Sequence, residues 1–135
     1  MKVVIDTNVL LISISPRSEA HWLWQAILLG DFDLYVTTDI LAEYEEILST
    51  QMGKAVADAA LDLLSDLPNV YNVNKYYFWQ LIEKDPDDNK FVDCAIAAGA
   101  EYLVSEDKHF KVIKQYPYFK VNLLKLAEFK MVLGK

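Results

Sequence analysis

The chain has 135 residues, of which 53% are hydrophobic, and it contains only four glycines and four prolines. This length suits a single domain spanning residues 1–135, and the composition excludes a disordered, collagen-like or linker-rich chain. The net charge of −7 at pH 7 argues, at first sight, against a nucleic-acid partner.

The cysteine content and the N-terminal sequence bear on the cellular location. The single cysteine, Cys94, cannot form an internal disulfide or a cysteine-based zinc site, which favours a reducing compartment. The chain begins without the basic and apolar regions of a signal peptide. No apolar stretch approaches the roughly 20 residues of a membrane-spanning helix. We therefore expect a cytoplasmic protein with no membrane partner.

The first half of the chain alternates short apolar runs with segments of helical spacing. In chain order we predict a strand at 3–5, a helix capped by Ser18 that ends at Gly30, a strand at 34–36, a helix opened by Thr38 or Asp39, a helix over 55–67, and a strand at 70–73. Strands alternating with helices are typical of βαβ units and a parallel sheet.

The second half continues this alternation. Residues 85–89 predict a turn that starts a helix over 91–98, followed by a strand at 102–104, a short helix near Asp107, a strand at 119–121 and a helix over 123–132. We find no internal repeat and no domain boundary. The chain is therefore predicted to be an α/β domain whose mainly parallel sheet of about five strands is covered on both faces.

Two acidic residues follow predicted strands directly. Asp6 comes after the strand 3–5, and Asp107 lies shortly beyond the strand 102–104. Ligands of open parallel sheets bind at the carboxyl ends of strands, so these acids lie where a site would form. The alternative is that each acid only caps the helix that follows it.

Asp93 is the one charged residue in an otherwise apolar helix. A carboxylate in such a helix must be paired, hydrogen-bonded or bound to a metal to offset a desolvation cost of several kcal/mol. Lys90, three residues earlier, could form a simple salt bridge with it, and Asn89 could orient the carboxylate or a metal-bound water. The spacing of the helix after the second strand leaves Glu43 and Glu45 as equal candidates for a further acid.

Together, three segments of the sequence resemble a PIN domain. They are residues 4–10 around Asp6, residues 85–100 around Asp93, and residues 102–108 around Asp107. Their order and spacing cover nearly the whole chain. The subgroup that the sequence most resembles consists of toxin components of toxin–antitoxin systems, related to VapC-type ribonucleases.

This resemblance implies a three-layer α/β/α sandwich and an endoribonuclease that cleaves single-stranded RNA by a metal-activated water, with Mg²⁺ or Mn²⁺ as cofactor. It assigns the catalytic and metal-binding acids as Asp6, Glu43, Asp93 and Asp107, with Glu43 selected over Glu45 by the resemblance alone. It assigns supporting polar roles to Thr7, Asn8 and Ser105, beside the Asn89 considered above. Many relatives carry another acid two residues after the fourth, where this sequence has His109.

The partners implied are single-stranded RNA, an antitoxin protein whose peptide lies over the acidic groove, and further copies of the chain in a homodimer or higher oligomer. Two other classes of protein share features with this sequence. A phospho-accepting receiver domain also binds Mg²⁺ at strand ends, but Asp6 is followed by Thr7 rather than by an acid. A non-catalytic protein-binding module of the PIN fold would keep the acids without using them.

The charge is distributed unevenly along the chain. Residues 1–107 hold six Lys and Arg against nineteen Asp and Glu, a net of −13, whereas residues 108–135 hold seven Lys against one Glu, a net of +6. Lys108, Lys111 and Lys114 follow the fourth acid closely and are candidates for contact with an RNA backbone. We therefore predict weak RNA binding that depends on a divalent cation.

Overall fold

The computed structural model describes residues 1–73, 82, 88–116 and 119–135, so that part of the predicted turn at 85–89 lies outside the described residues. The strands are β1 (Lys2–Ile5), β2 (Asp33–Val36), β3 (Val70–Asn72), β4 (Tyr102–Val104) and β5 (Asn122–Leu124). The α-helices are α1 (Thr7–Ile14), α2 (His21–Leu29), α3 (Thr38–Met52), α4 (Lys54–Asp66), α5 (Asn89–Ala98) and α6 (Leu126–Val132), and a 3-10 helix spans Lys108–Gln115.

The five strands form one parallel sheet in the order β3-β2-β1-β4-β5. Successive residues of a strand point to opposite faces, yet Val3, Val4 and Ile5 of β1 are all fully buried. The sheet is therefore covered on both faces at its centre, which confirms the predicted α/β sandwich. Within the described ranges, none of the helices is both long enough and apolar enough to cross a membrane.

The register of the sheet brings the ends of β1 and β4 together. Ile5 is opposite Val104, and the backbone N–H of Asp6 donates to the carbonyl of Val104 at 3.0 Å. The residues that follow these two strands, Asp6 and Ser105, consequently lie side by side at the carboxyl edge of the sheet.

Aromatic packing fixes the elements around this edge. The rings of Phe91 in α5 and Phe110 in the 3-10 helix are fully buried and meet edge to face, with centroids 6.1 Å apart. The Tyr44 side chain of α3 is also fully buried, and its hydroxyl donates to the carbonyl of Ile5 at the end of β1. These contacts hold α3 against the end of β1 and join α5 to the 3-10 helix that follows β4.

The structure corrects the prediction for the last strand. The predicted strand at 119–121 lies instead at Asn122–Leu124, and the final helix begins at Leu126 rather than at residue 123. Lys120 has a left-handed φ of 57°, which an extended strand cannot contain, so the strand begins only after it.

Two further differences lie near the N-terminus. The helix α1 was not predicted, because its continuous apolar run lacks a helical period. Ser18 does not cap a helix directly: its hydroxyl accepts from the backbone N–H of Ala20 at 3.0 Å, and α2 begins at His21. Ser18 therefore stabilises the turn that precedes α2.

Candidate active site

Asp6 is the most central acid of the candidate site. Its side chain is only 5% exposed, and one carboxylate oxygen, Oδ2, accepts a hydrogen bond from the hydroxyl of Ser105 at 2.9 Å. The same hydroxyl accepts from the backbone N–H of Asp107 at 2.9 Å. Ser105 thus orients two acids at once, one after β1 and one after β4.

Asp107 is held by the helix that it precedes. It is the N-cap of the 3-10 helix, and its Oδ1 accepts from the backbone N–H of His109 at 2.9 Å. The structure shows the capping role that was one alternative for Asp107, and the charge of the same side chain also helps to raise the pKa of Asp6.

Glu43 reaches the site from α3. Its Oε2 accepts from the hydroxyl of Thr7, and its Oε1 contacts the ammonium Nζ of Lys90 at 2.6 Å. Glu45 is exposed, so the structure brings Glu43 rather than Glu45 towards Asp6. Both carboxylate oxygens of Glu43 are held by side chains of other elements, α1 and α5.

The first turn of α5 contributes a second group of polar residues. Asp93 is 1% exposed, and it lies three residues after Lys90 in α5. Asn89 has partners different from those expected: its side-chain amide exchanges hydrogen bonds of 2.8 and 2.9 Å with the backbone of Ile82. The Asn89 amide therefore fixes the chain before α5. Asn8, another of the four predicted supporting residues, is exposed.

The charges of Glu43 and Asp107 both act on Asp6. Burial raises the pKa of Asp6 above its ordinary value, and the neighbouring charges of Glu43 and Asp107 raise it further, against hydrogen bonds from Ser105 and Thr7 that lower it. Burial, with the charge of Asp93, also raises the pKa of Cys94 to about 12, so the thiol stays protonated and is a poor nucleophile.

The donor set fits a hard divalent cation. Carboxylate oxygens are the ligands that Mg²⁺ and Mn²⁺ prefer. A cation among Asp6, Glu43 and Asp107 would also remove the repulsion that raises the pKa of Asp6. The residues present are therefore compatible with the cofactor that the sequence implies.

One member of the polar cluster was missed in the sequence. Asp88 lies beside α5 and, with Asp107 and His109, forms a group whose nearest nitrogen and oxygen atoms are all within 4.8 Å of one another. The pattern of residues 85–89 was interpreted only as a turn and helix start. The adjacent acids of that segment were the signal that could have pointed to Asp88.

A polar groove adjoins the site. It has a volume of about 310 Å³ and is lined by Asp39, Ala42, Glu43, Glu46 and Lys90. Three of these five residues are acidic and follow one face of α3. The groove therefore presents mainly negative charge next to Glu43.

The three candidate RNA-binding lysines follow Asp107 in the chain. Lys108, Lys111 and Lys114 are all exposed and belong to the 3-10 helix. Because a 3-10 helix has 3.0 residues per turn, side chains three residues apart lie above one another. The three lysine side chains therefore follow one face of the 3-10 helix, as a row that begins directly after Asp107 in the chain.

Comparison with known proteins identifies the family. The sequence model of the PIN domain matches residues 2–109, about four-fifths of the chain. The chain belongs to the PIN domain family. A search of curated proteins found no match to this PIN domain.

Solved structures with the same fold come from several bacterial proteins. VapBC2 from Rickettsia felis, solved with a DNA fragment from its promoter, has 18% identity and a TM-score of 0.60, covering 93% of this chain and 98% of that one. FitAcB from Neisseria gonorrhoeae has 13% identity and a TM-score of 0.57, with the same coverages of 93% and 98%. The Mycobacterium tuberculosis toxin VapC20, described as cleaving the sarcin-ricin loop, has 12% identity and a TM-score of 0.54, covering 75% and 86%. These similarities establish the fold of this PIN domain.

Proposed function

We propose that this PIN domain is a Mg²⁺- or Mn²⁺-dependent endoribonuclease that cleaves single-stranded RNA and acts as the toxin of a toxin–antitoxin pair. The observation that carries the proposal is the convergence of Asp6, Glu43 and Asp107 from three different elements of the fold. Buried carboxylates that repel one another destabilise the fold when no cation is present, and together they form a binding site for one. Membership of the PIN family and the likeness to VapC20 support the nuclease assignment.

Asp6, Asp93 and Asp107 are the proposed metal ligands, and Glu43 would bind the cation directly or through a water. A divalent cation bound there would lower the pKa of a water and offset negative charge at the scissile phosphate. The protein's part is to hold the ligands in place: Ser105 fixes Asp6, and Thr7 with Lys90 fixes Glu43. No side chain has to act as the nucleophile in this scheme.

The proposed substrate contact is the lysine row of the 3-10 helix. Lys108, Lys111 and Lys114 would meet successive phosphates of a single strand entering beside Asp107. Each turn of a 3-10 helix rises about 6 Å, so the row spans about 12 Å from its first lysine to its last. With only three such lysines against a net charge of −7, binding of RNA without a divalent cation is expected to be weak.

The proposed partner is an antitoxin protein, with the complex located in the cytoplasm. Two of the similar structures, VapBC2 and FitAcB, support this choice. The acidic groove of Asp39, Glu43 and Glu46 suits a cationic side chain, such as an arginine, from an antitoxin peptide. We also propose that residues 1–135 form one domain and that this domain assembles as a homodimer or higher oligomer.

The test is cleavage of a mixed single-stranded RNA by the wild type, Asp6→Asn and Asp93→Asn in Mg²⁺, in Mn²⁺ and in EDTA. Asp62→Asn, at an exposed position of α4, is the matched control for removal of one carboxylate. We expect cleavage by the wild type and by Asp62→Asn only when a divalent cation is present, with a loss of at least about a hundredfold in the other two variants.

Two results would contradict the proposal. Equal cleavage by all four proteins would point to a contaminating nuclease, and cleavage by none would favour the non-catalytic module. Transfer of phosphate from acetyl phosphate to one Asp would instead favour the receiver-like function.

A further inference from the structure

Among the described residues, Lys90 is the one cation that lines the polar groove. The other lining residues are Ala42 and the three acids Asp39, Glu43 and Glu46. The charges of these acids repel the backbone phosphates of an RNA strand that enters the groove. Of the five lining residues, only Lys90 can therefore attract a phosphate.

The ammonium group of Lys90 is paired with Glu43 in the chain without RNA. Its Nζ lies 2.6 Å from Oε1 of Glu43, and the two side chains are 20% and 23% exposed. The same Nζ lies over the ring of Phe91, 5.9 Å from its centroid. The ion pair is thus partly shielded from solvent, while both of its members still line the groove.

The two carboxylate oxygens of Glu43 are held by groups of different kinds. Oε2 accepts from the neutral hydroxyl of Thr7, the residue that follows Asp6, whereas Oε1 contacts the charged Lys90. The hydroxyl of Thr7 can hold the carboxylate next to Asp6 without help from Lys90. The lysine contact is therefore the one that can be given up without releasing Glu43.

The charge that surrounds Lys90 would change when a divalent cation binds. In the cation-free chain, the ammonium of Lys90 offsets the carboxylate of Glu43, whose charge also helps to raise the pKa of Asp6. A divalent cation beside Asp6 and Glu43 would offset the same charge and would repel the ammonium. A phosphate oxygen of an incoming strand then offers the ammonium a charged acceptor in place of Glu43.

A lysine side chain suits such an exchange of partners. Its stem of four carbons is flexible, and its ammonium group has three N–H donors. A phosphate oxygen can therefore join the ammonium before the contact with Glu43 breaks.

We propose that Lys90 is a substrate-contacting residue that exchanges Glu43 for an RNA phosphate when the strand and a divalent cation bind. The inference deepens the proposed function and rests on it, because it needs RNA in the groove and a cation beside Glu43. Lys90 then has two effects of opposite sign, since its charge weakens the binding of the cation and strengthens the binding of RNA. A residue that only positioned Glu43 would strengthen both.

The experiment measures cation binding and RNA binding separately in the complete chain. Mn²⁺ binding is followed without RNA by electron paramagnetic resonance, and binding of a single-stranded RNA is followed by fluorescence anisotropy, with Ca²⁺ in place of Mn²⁺ to slow cleavage. Lys90→Met should bind Mn²⁺ at least about threefold more tightly than the wild type, because a positive charge beside the cation is removed. It should bind RNA at least about fivefold more weakly, and the slope of log K against log salt should fall by about 0.7.

Two further variants of Lys90 separate its charge from its shape. Lys90→Arg keeps the positive charge and should keep both affinities within about twofold of the wild type. Lys90→Gln is neutral but can still donate to Glu43, so it should behave as Lys90→Met does. It also replaces Lys90→Met in the test if the methionine variant does not fold.

Lys54→Met is the matched control. Lys54 also pairs with a carboxylate, that of Asp58 at 3.2 Å, but its side chain is 82% exposed and belongs to α4 rather than to the groove. This variant removes the same charge and should leave both affinities within about twofold of the wild type. Thermal unfolding of each variant in EDTA, followed by circular dichroism, checks that the domain remains folded.

The outcomes separate the role of Lys90 from the proposed nuclease. Mn²⁺ binding by a folded Lys90→Met or Lys90→Gln that equals the wild type or is weaker would overturn the exchange and leave Lys90 as a positioning residue for Glu43. RNA binding by these variants that equals the wild type would overturn it as well, as would a wild type that binds no RNA. A wild type that binds RNA through Lys90 without cleaving it in Mg²⁺ or Mn²⁺ would support the contact and refute the nuclease.

Discussion

In the absence of a cation, the Asp6 carboxylate should destabilise the fold at neutral pH. Burial and the charges of Glu43 and Asp107 raise its pKa in the folded state above the value of an unfolded chain. The folded state therefore binds the proton of Asp6 more tightly than the unfolded state does. The resulting stabilisation is present below the unfolded pKa of about 3.9 and is lost as the pH rises through the folded value.

Asp6→Asn should consequently stabilise the cation-free protein at pH 7. Asparagine has nearly the same shape as aspartate, and its carbonyl can still accept the hydroxyl of Ser105. Burying a carboxylate costs several kcal/mol, and the hydrogen bonds from Ser105 and Thr7 offset only part of this cost, since the pKa of Asp6 remains raised. The net gain should be on the order of 1 kcal/mol, or about 3–5 °C in Tm for a domain of this size.

The assay is thermal unfolding at pH 7 in EDTA and in excess Mn²⁺, with Asp62→Asn as the control. At a Mn²⁺ concentration of 100 times Kd, one bound ion should stabilise the wild type by about 2.7 kcal/mol, whereas Asp6→Asn should gain clearly less. In EDTA, the advantage of Asp6→Asn should shrink as the pH is lowered towards 4. If Asp6→Asn is instead less stable than the wild type in EDTA at pH 7, while Asp62→Asn is unchanged, then Asp6 is not an uncompensated charge.

Three further predictions concern neighbouring contacts. Lys90→Met should lower the unfolding free energy in EDTA by about 1–3 kcal/mol, measured with urea, because the Lys90 and Glu43 side chains are only 20% and 23% exposed and meet at 2.6 Å; an unchanged value would mean that solvent screens the pair. Tyr44→Phe should cost about 1 kcal/mol in the same measurement, since it removes the hydrogen bond to the carbonyl of Ile5, and no loss would show that water replaces the hydroxyl. Changing both Lys111 and Lys114 to Gln should reduce the slope of log K against log salt for single-stranded RNA by about 0.7 per lysine; an unaltered slope would place the RNA elsewhere.

Much of the fold could be predicted because its strands are buried. Val3 to Ile5 and Leu103 to Val104 form short apolar runs, and they are the central strands β1 and β4. The edge strand β5 was misplaced because its position depends on the left-handed residue Lys120, which carries no signal in the apolar pattern. The helix α1 was missed because residues that are apolar in succession lack the period that distinguishes a helix.

The candidate site was predicted unevenly. The sequence by itself identified Asp6, Asp93 and Asp107, because a charged residue next to a strand end or inside an apolar helix stands out against its local neighbours. Residue spacing left Glu43 and Glu45 as equal candidates, and the resemblance to PIN domains selected Glu43. Only the tertiary structure showed that Glu43 meets Thr7 and Lys90, 36 and 47 residues away in the chain. It alone brought Asp88 to His109, because helical and strand periods define which face a residue occupies but not which distant residue that face will meet.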